Sequence, residues 1–207
     1  MASANYEVKP LFAEPYFVAD MGDAITPEHI KFIKELKMVQ NQQNLISENL
    51  YIFEKPELKS LKQAVDAMLG TYAAEVMGIP QELYVTQSWS LINPPGIGMH
   101  GHSHSNSVIS GSLYFTDMPS PPSRMVFHRH RGYQQLDLIP ENGKINIYNT
   151  RNNVVEPKKN MLVLFSSGLE HFVEPNTSSE PRHSIAFNTF LRGTLGNFRD
   201  VSELKLA

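Results

Sequence analysis

The second half of the chain constrains the fold most, because short extended runs follow one another there with no long helix between them. Runs rich in β-branched and aromatic residues, bounded by Gly, Pro, Asn or Asp, are typical of strands. The runs are residues 84–92, 107–115, 124–128, 144–149, 160–167 and 183–191. Parallel strands would need long crossovers, so these runs are expected to pair antiparallel. The pattern predicts a mainly β protein, an antiparallel sandwich or jelly roll.

The first 80 residues carry the helical pattern. Residues 25–37 begin with Thr26 as a helix N-cap and Pro27 in the first turn, and apolar residues then recur at helical spacing. Residues 55–78 repeat apolar positions every three or four residues and end at Gly78. We therefore expect N-terminal helices packed on one sheet face.

Length and composition narrow the class of protein further. The 207 residues are 41% hydrophobic, which is typical of a folded chain, and a net charge of −3 excludes a generally basic nucleic-acid binder. The absence of cysteine excludes disulfides and thiolate zinc sites. We expect one domain over residues 1–207, with a helical scaffold over 1–80 and the β core over 81–207.

Five of the eight histidines fall into two clusters, within residues 98–107 and 127–131. Residues i and i+2 of an extended segment point to the same face, so His-x-His pairs can converge. A metal site built on strands needs such a pair and one distant ligand, and three protein ligands leave coordination positions for substrate and oxygen. A lone His-x-His pair is nevertheless more often a polar strand face. Arg129 and Arg131 alternate with His128 and His130, and their positive charge opposes a cation there.

The order of the remaining polar residues strengthens the first cluster. His102 and His104 are followed by a strand, a later strand leads into His171, and Arg182 and Ser184 open the final strand. Arg182 and Ser184 share one strand face, and a guanidinium beside a hydroxyl is a clamp for a carboxylate. The sequence thus predicts a metal and an anion held side by side.

This arrangement resembles the iron(II)/2-oxoglutarate-dependent oxygenases of the double-stranded β-helix (jelly-roll) fold, and most closely their prolyl-4-hydroxylase-related branch in bacteria and phages. The resemblance runs from about Trp89 to Phe190. The segments that carry it are SW followed by NPPG, HSHSNSVISGSLYF, KKNMLVLFSSGLEHFVEPN and RHSIAFN.

The resemblance implies a role for each site residue. His102 and His171 would be metal ligands, and His104 the third, at a position where most of the superfamily has Asp and this branch has His. His100 with His102 is the alternative pair. Arg182 would bind the remote carboxylate of 2-oxoglutarate. The other cofactor-binding candidates are Ser184, Tyr114, Asn188 and Asn93.

The implied activity is a dioxygenase reaction with iron(II), 2-oxoglutarate and O2, which releases succinate and CO2 and hydroxylates a substrate. A prolyl or other peptide side chain, or a small metabolite, is the expected substrate. Nucleic acid is disfavoured, because the repair branch has a second arginine where this chain has Asn188. With apolar runs too short for a membrane span and no secretory pattern, we expect a cytoplasmic protein, in the host cytoplasm if phage-encoded. The oligomeric state stays open.

Two alternatives remain. A cupin also carries a His-x-His pair, and Gly96 before the pair fits its first motif, but the expected glutamate is replaced by Val108 or Ile109. A non-catalytic jelly-roll binding protein would hold a structural metal or none, although closed structural zinc sites usually use thiolates.

Overall fold

The structure is a computed structural model that describes residues 5–129 and 139–206. Two α-helices lie in these ranges, α1 (Pro27–Lys34) and α2 (Lys59–Thr71). The strands are β1 (Tyr16–Asp20), β2 (Met38–Asn41), β3 (Asn44–Ser47), β4 (Glu82–Asn93), β5 (Met99–His102), β6 (Ile109–Tyr114), β7 (Met125–His128), β8 (Asn152–Val155), β9 (Met161–Ser166), β10 (His171–Val173), β11 (Arg182–Leu195) and β12 (Leu204–Leu206).

The strands form two sheets. The larger sheet has the order β1-β9-β6-β11-β4-β3-β2, with β12 paired to β11, and the smaller sheet has the order β5-β10-β7-β8. Neighbouring strands in both sheets pair antiparallel. From β4 to β11 the chain passes back and forth between the two sheets, with only β7 and β8 consecutive in the same sheet, as in a jelly roll. The predicted fold class is confirmed.

The start of the first helix and the end of the second helical segment lie where the sequence indicates, whereas α1 ends three residues before the predicted 37 and α2 begins four residues after the predicted 55. The Thr26 hydroxyl accepts the backbone N–H of His29 at 3.3 Å, and His29 Nδ1 accepts the N–H of Thr26 at 3.1 Å, so two donors at the start of α1 are satisfied. After α2 a π-helical turn, Tyr72–Met77, ends at Gly78, whose φ of +64° suits glycine. No helix in the described ranges is long and apolar enough to cross a membrane.

The larger sheet separates two cores. On one face, α1 and α2 pack against apolar residues of the sheet, among them Ile185 and Phe187 of β11. On the other face, Val163 and Phe165 pack against Phe127 of the smaller sheet. Because side chains alternate along a strand, the neighbours of Ile185 and Phe187 face the space between the sheets. That space contains the candidate site.

Two sequence expectations need correction. The strand predicted at 144–149 is wrong: the segment forms turns, because the side chains of Asn146 and Asn149 hydrogen-bond to nearby backbone groups in place of a partner strand. The strand in this region is β8. Residues 1–80 are also not purely helical, since β1, β2 and β3 extend the larger sheet at its two edges.

Gly111 offers a test of this packing. It lies in β6 opposite Phe187 of β11, and a Cβ at position 111 would overlap the Phe187 ring. We expect Gly111→Ala to lower the free energy of unfolding by about 1–3 kcal/mol, because a buried ring must move. Urea unfolding followed by circular dichroism measures the change.

The matched control is Gly70→Ala near the end of α2, where an added methyl group meets no atom within 4 Å. Alanine is favoured over glycine in a helix, so this variant should gain about 0.5–1 kcal/mol. Equal effects of the two substitutions would contradict the packing described for β6 and β11.

Candidate active site

Three histidines converge between the sheets. His171 opens β10 and lies directly opposite His102, the last residue of β5, and His104 follows two residues later. One nitrogen of each ring lies within 4.8 Å of the others, a separation at which all three could hold one metal ion. The His-x-His pair and the distant histidine therefore meet as their order along the chain suggests.

Backbone carbonyls orient two of the three rings. His102 Nδ1 lies 2.8 Å from the carbonyl oxygen of His100, and His171 Nδ1 lies 2.9 Å from that of Leu169. A carbonyl can only accept, so Nδ1 carries the proton and Nε2 keeps its lone pair. This is the usual way in which proteins fix the tautomer of a metal-binding histidine.

Burial keeps His104 and His171 neutral. His171 is 4% exposed and packs against the rings of Phe165 and Phe127, with centroids 4.7 and 6.1 Å away. Desolvation lowers the pKa of His171 to about 4, although the Leu169 carbonyl opposes the shift. Desolvation, with a contribution from His102, also lowers the pKa of His104 to about 4. Neutral imidazoles offer their lone pairs to a metal at neutral pH.

Arg182 supplies a buried positive charge on the same side of the larger sheet. It is 2% exposed, Nη2 donates to the Tyr114 hydroxyl at 3.2 Å, and Nη1 lies 3.4 Å from the Ser184 hydroxyl. The guanidinium also lies over the Tyr114 ring, 5.0 Å from its centroid. Nε has no hydrogen-bond partner, and no described carboxylate pairs with the guanidinium. Burying an unpaired guanidinium costs free energy unless an anion pairs with it.

Two further predicted cofactor-binding residues lie elsewhere on this face. Asn188 is six residues from Arg182 along β11, about 20 Å at the rise of a strand, and its Oδ1 accepts from Ser110 at 2.9 Å. Asn93 is opposite Arg182 in β4, but its side-chain nitrogen donates to the Gly98 carbonyl at 2.9 Å. Their roles toward a cofactor remain predictions.

The other histidines that the structure describes lie outside the cluster. His100 is exposed, with its ring centroid 5.3 Å from that of His102, and it is not part of the converging group. His128 is exposed and its Nδ1 lies 2.8 Å from Asn152 Oδ1. His130 lies outside the described residues. His183 lies on the opposite face of β11 from Arg182, near the Phe115 ring.

Sequence reasoning missed a row of serines linked to His104. The hydroxyl oxygens of Ser107, Ser167 and Ser110 lie in this order with separations of 2.7 and 2.8 Å, and the Ser167 carbonyl accepts the backbone N–H of His104. The centroid of the Trp89 ring lies 6.4 Å from that of the His104 ring. The sequence gives no signal for this chain of serines, because Ser107 and Ser167 are 60 residues apart.

The family comparison agrees with this geometry. A jelly roll with three convergent histidines fits a metal-dependent enzyme, and residues 87–188 match the family described as "Putative 2OG-Fe(II) oxygenase". The match spans just under half of the chain, and with the convergent histidines it identifies the protein as an oxygenase whose cofactors are iron(II) and 2-oxoglutarate. No curated protein sequence matches the chain.

Solved structures share the fold at low sequence identity. A Burkholderia pseudomallei oxidoreductase of the 2OG-Fe(II) oxygenase family is 10% identical, with 84% of this chain and 83% of that one covered and a TM-score of 0.60. HygX from Streptomyces hygroscopicus with nickel, 2-oxoglutarate and hygromycin B bound is 12% identical (85% and 82%, TM-score 0.60). A Pseudomonas putida prolyl-4-hydroxylase is 14% identical (87% and 94%, TM-score 0.56).

The lowered pKa of His171 has a consequence for stability. Between pH 6.5 and 4 the unfolded histidine takes up a proton that the folded one does not, so the metal-free protein should lose stability as the pH falls through this range. Each such group contributes a slope of at most about 1.4 kcal/mol per pH unit.

The test compares the metal-free protein with His171→Gln by urea unfolding at several pH values. The pH dependence should be shallower in the variant, because an amide takes up no proton. The difference between the two curves isolates His171 from the carboxylates that also titrate in this range. Parallel curves would contradict a neutral, desolvated His171.

Proposed function

We propose that this chain is a dioxygenase in which His102, His104 and His171 bind iron(II) and Arg182 binds the remote carboxylate of 2-oxoglutarate. Ser184 and Tyr114 hold the guanidinium in place. The reaction would hydroxylate a substrate and release succinate and CO2.

The observation that carries the proposal is the state of Arg182. Its guanidinium is buried without a described carboxylate partner, its Nε has no acceptor, and it lies on the sheet face that borders the three histidines. A guanidinium with unused N–H donors can bind a carboxylate through two parallel hydrogen bonds. Since three imidazole nitrogens suit a divalent cation, the residues present fit both iron(II) and a keto acid.

The chain contributes binding and orientation. The bound cofactors supply the oxidising chemistry, and no side chain needs to act as general acid or base. The His102 and His171 rings are held by backbone carbonyls, which fixes their Nε2 lone pairs toward one point. Phe165 and Phe127 cover one side of His171 and keep bulk water from it.

For the substrate we propose a peptide side chain, with a prolyl residue first and a small metabolite second. The net charge of −3 and the asparagine at position 188 disfavour nucleic acid. Support for both remaining classes comes from the fold neighbours, which include a prolyl-4-hydroxylase and an enzyme with hygromycin B bound.

The proposed anion site can be tested with two arginines of one strand. Arg182 and Arg192 both lie in β11 over a tyrosine ring, but Arg192 pairs with Glu82 at 3.2 Å and is half-exposed. Arg182→Met should abolish stabilisation by 2-oxoglutarate in the presence of anaerobic iron(II), and Arg192→Met should not. Wild-type protein should gain about 2.7 kcal/mol at 100 times the dissociation constant.

The visible spectrum gives a second readout. Iron(II) and 2-oxoglutarate should together produce a metal-to-ketoacid charge-transfer band that Arg182→Met weakens at fixed 2-oxoglutarate. If iron binds but the keto acid changes neither readout, a cupin-type metal enzyme replaces this proposal. If neither binds, the protein is a non-catalytic jelly roll.

The substrate proposal is tested by succinate formation. The blocked tripeptide acetyl-Ala-Pro-Ala-amide should raise the rate above that of 2-oxoglutarate alone, because it offers a prolyl ring within a peptide. Free L-proline and hygromycin B are the small-molecule comparisons. Stimulation by either of these but not by the tripeptide would favour a small metabolite.

A further inference from the structure

The three histidines of the cluster differ in how their rings are held. His102 and His171 each use Nδ1 to contact a backbone carbonyl, whereas the His104 ring has no hydrogen-bond partner among the described residues. Its ring neighbours are Trp89 and the other two histidines. The direction of the His104 ring therefore depends on where its backbone is placed.

Ser167 determines that placement. The backbone N–H of His104 donates to the Ser167 carbonyl at 2.9 Å, and the N–H of Ser167 donates to the Val108 carbonyl at 3.1 Å. Ser167 follows the end of β9 and lies four residues before His171. One residue thus joins the segment that carries His104 to the turn that carries His171.

The Ser167 hydroxyl holds this residue in position. It is fully buried, donates to the Ser107 hydroxyl at 2.7 Å and lies 2.8 Å from the Ser110 hydroxyl. Ser110 in turn donates to Asn188 Oδ1, and Ser107 accepts the N–H of Thr189 at 3.2 Å. The chain of hydroxyls ties the His104 segment to β6, β9 and β11, and buried networks of this kind rigidify their surroundings.

We infer that Ser167 is a positioning residue for the metal site, which acts through its hydroxyl to set the separation of His104 and His171. The inference rests on the proposed function, since it takes these histidines as ligands. A ring without a hydrogen bond of its own needs a fixed backbone if its lone pair is to meet those of two other rings. Partners of metal ligands typically change metal affinity 10–100-fold when mutated.

The test uses cobalt(II) as the probe, because its visible spectrum reports the number and geometry of ligands without turnover. Ser167→Ala should raise the cobalt dissociation constant at least about tenfold and change the ligand-field bands. The control is Ser47→Ala in β3. Like Ser167, Ser47 is fully buried and its hydroxyl is hydrogen-bonded: it donates to the Asn49 carbonyl at 2.7 Å and accepts the Ser90 N–H at 3.0 Å. It should keep the wild-type spectrum and affinity.

The outcomes separate a positioning role from general destabilisation. Wild-type cobalt binding in Ser167→Ala, or an equal change in Ser47→Ala, overturns the inference. If Ser167→Ala does not fold, Ser107→Ala removes one partner of the same hydroxyl and should change the bands in the same direction. A wild-type protein that binds no cobalt overturns the proposed metal site and this inference together, whereas wild-type binding with unchanged variants overturns the inference alone.

Discussion

The alternation of side chains along the strands of the larger sheet is the constraint on which the structure depends. One face of β11 buries Ile185 and Phe187 against the helices, so the opposite face turns Arg182 and Ser184 into the space between the sheets. A shift of one residue in the pairing register of β11 would exchange the side chains on its two faces. The apolar contacts with the helices therefore also specify where the polar groups of the site lie.

The candidate site combines neutral histidines with one buried cation. His104 and His171 stay uncharged because burial lowers their pKa, and the guanidinium of Arg182 is the cation. The excess positive charge around the site would grow when a divalent metal binds. In the proposed function, a doubly charged keto acid would offset both positive charges, with Arg182 binding one carboxylate and the metal held by the histidines binding the other.

Much of this arrangement could be predicted from the sequence, because it follows from the two-residue repeat of strands and from the order of the segments along the chain. The two-residue spacing of His102 and His104, and that of Arg182 and Ser184, places each pair on one face of an extended segment. The long apolar runs predict β4, β6, β9 and β11. Short strands such as β5 and β10 were not predicted, since their pairing partners lie far along the chain. The failure at 144–149 has the opposite cause: asparagine side chains satisfy the backbone locally.

The place of Trp89 has a practical consequence. It is the single tryptophan of the chain, half-buried in β4 with its ring beside that of His104. The tryptophan fluorescence of the protein thus originates within one ring contact of the proposed metal. Entry of a quenching ion or a light-absorbing ligand can be followed in the native chain without any label.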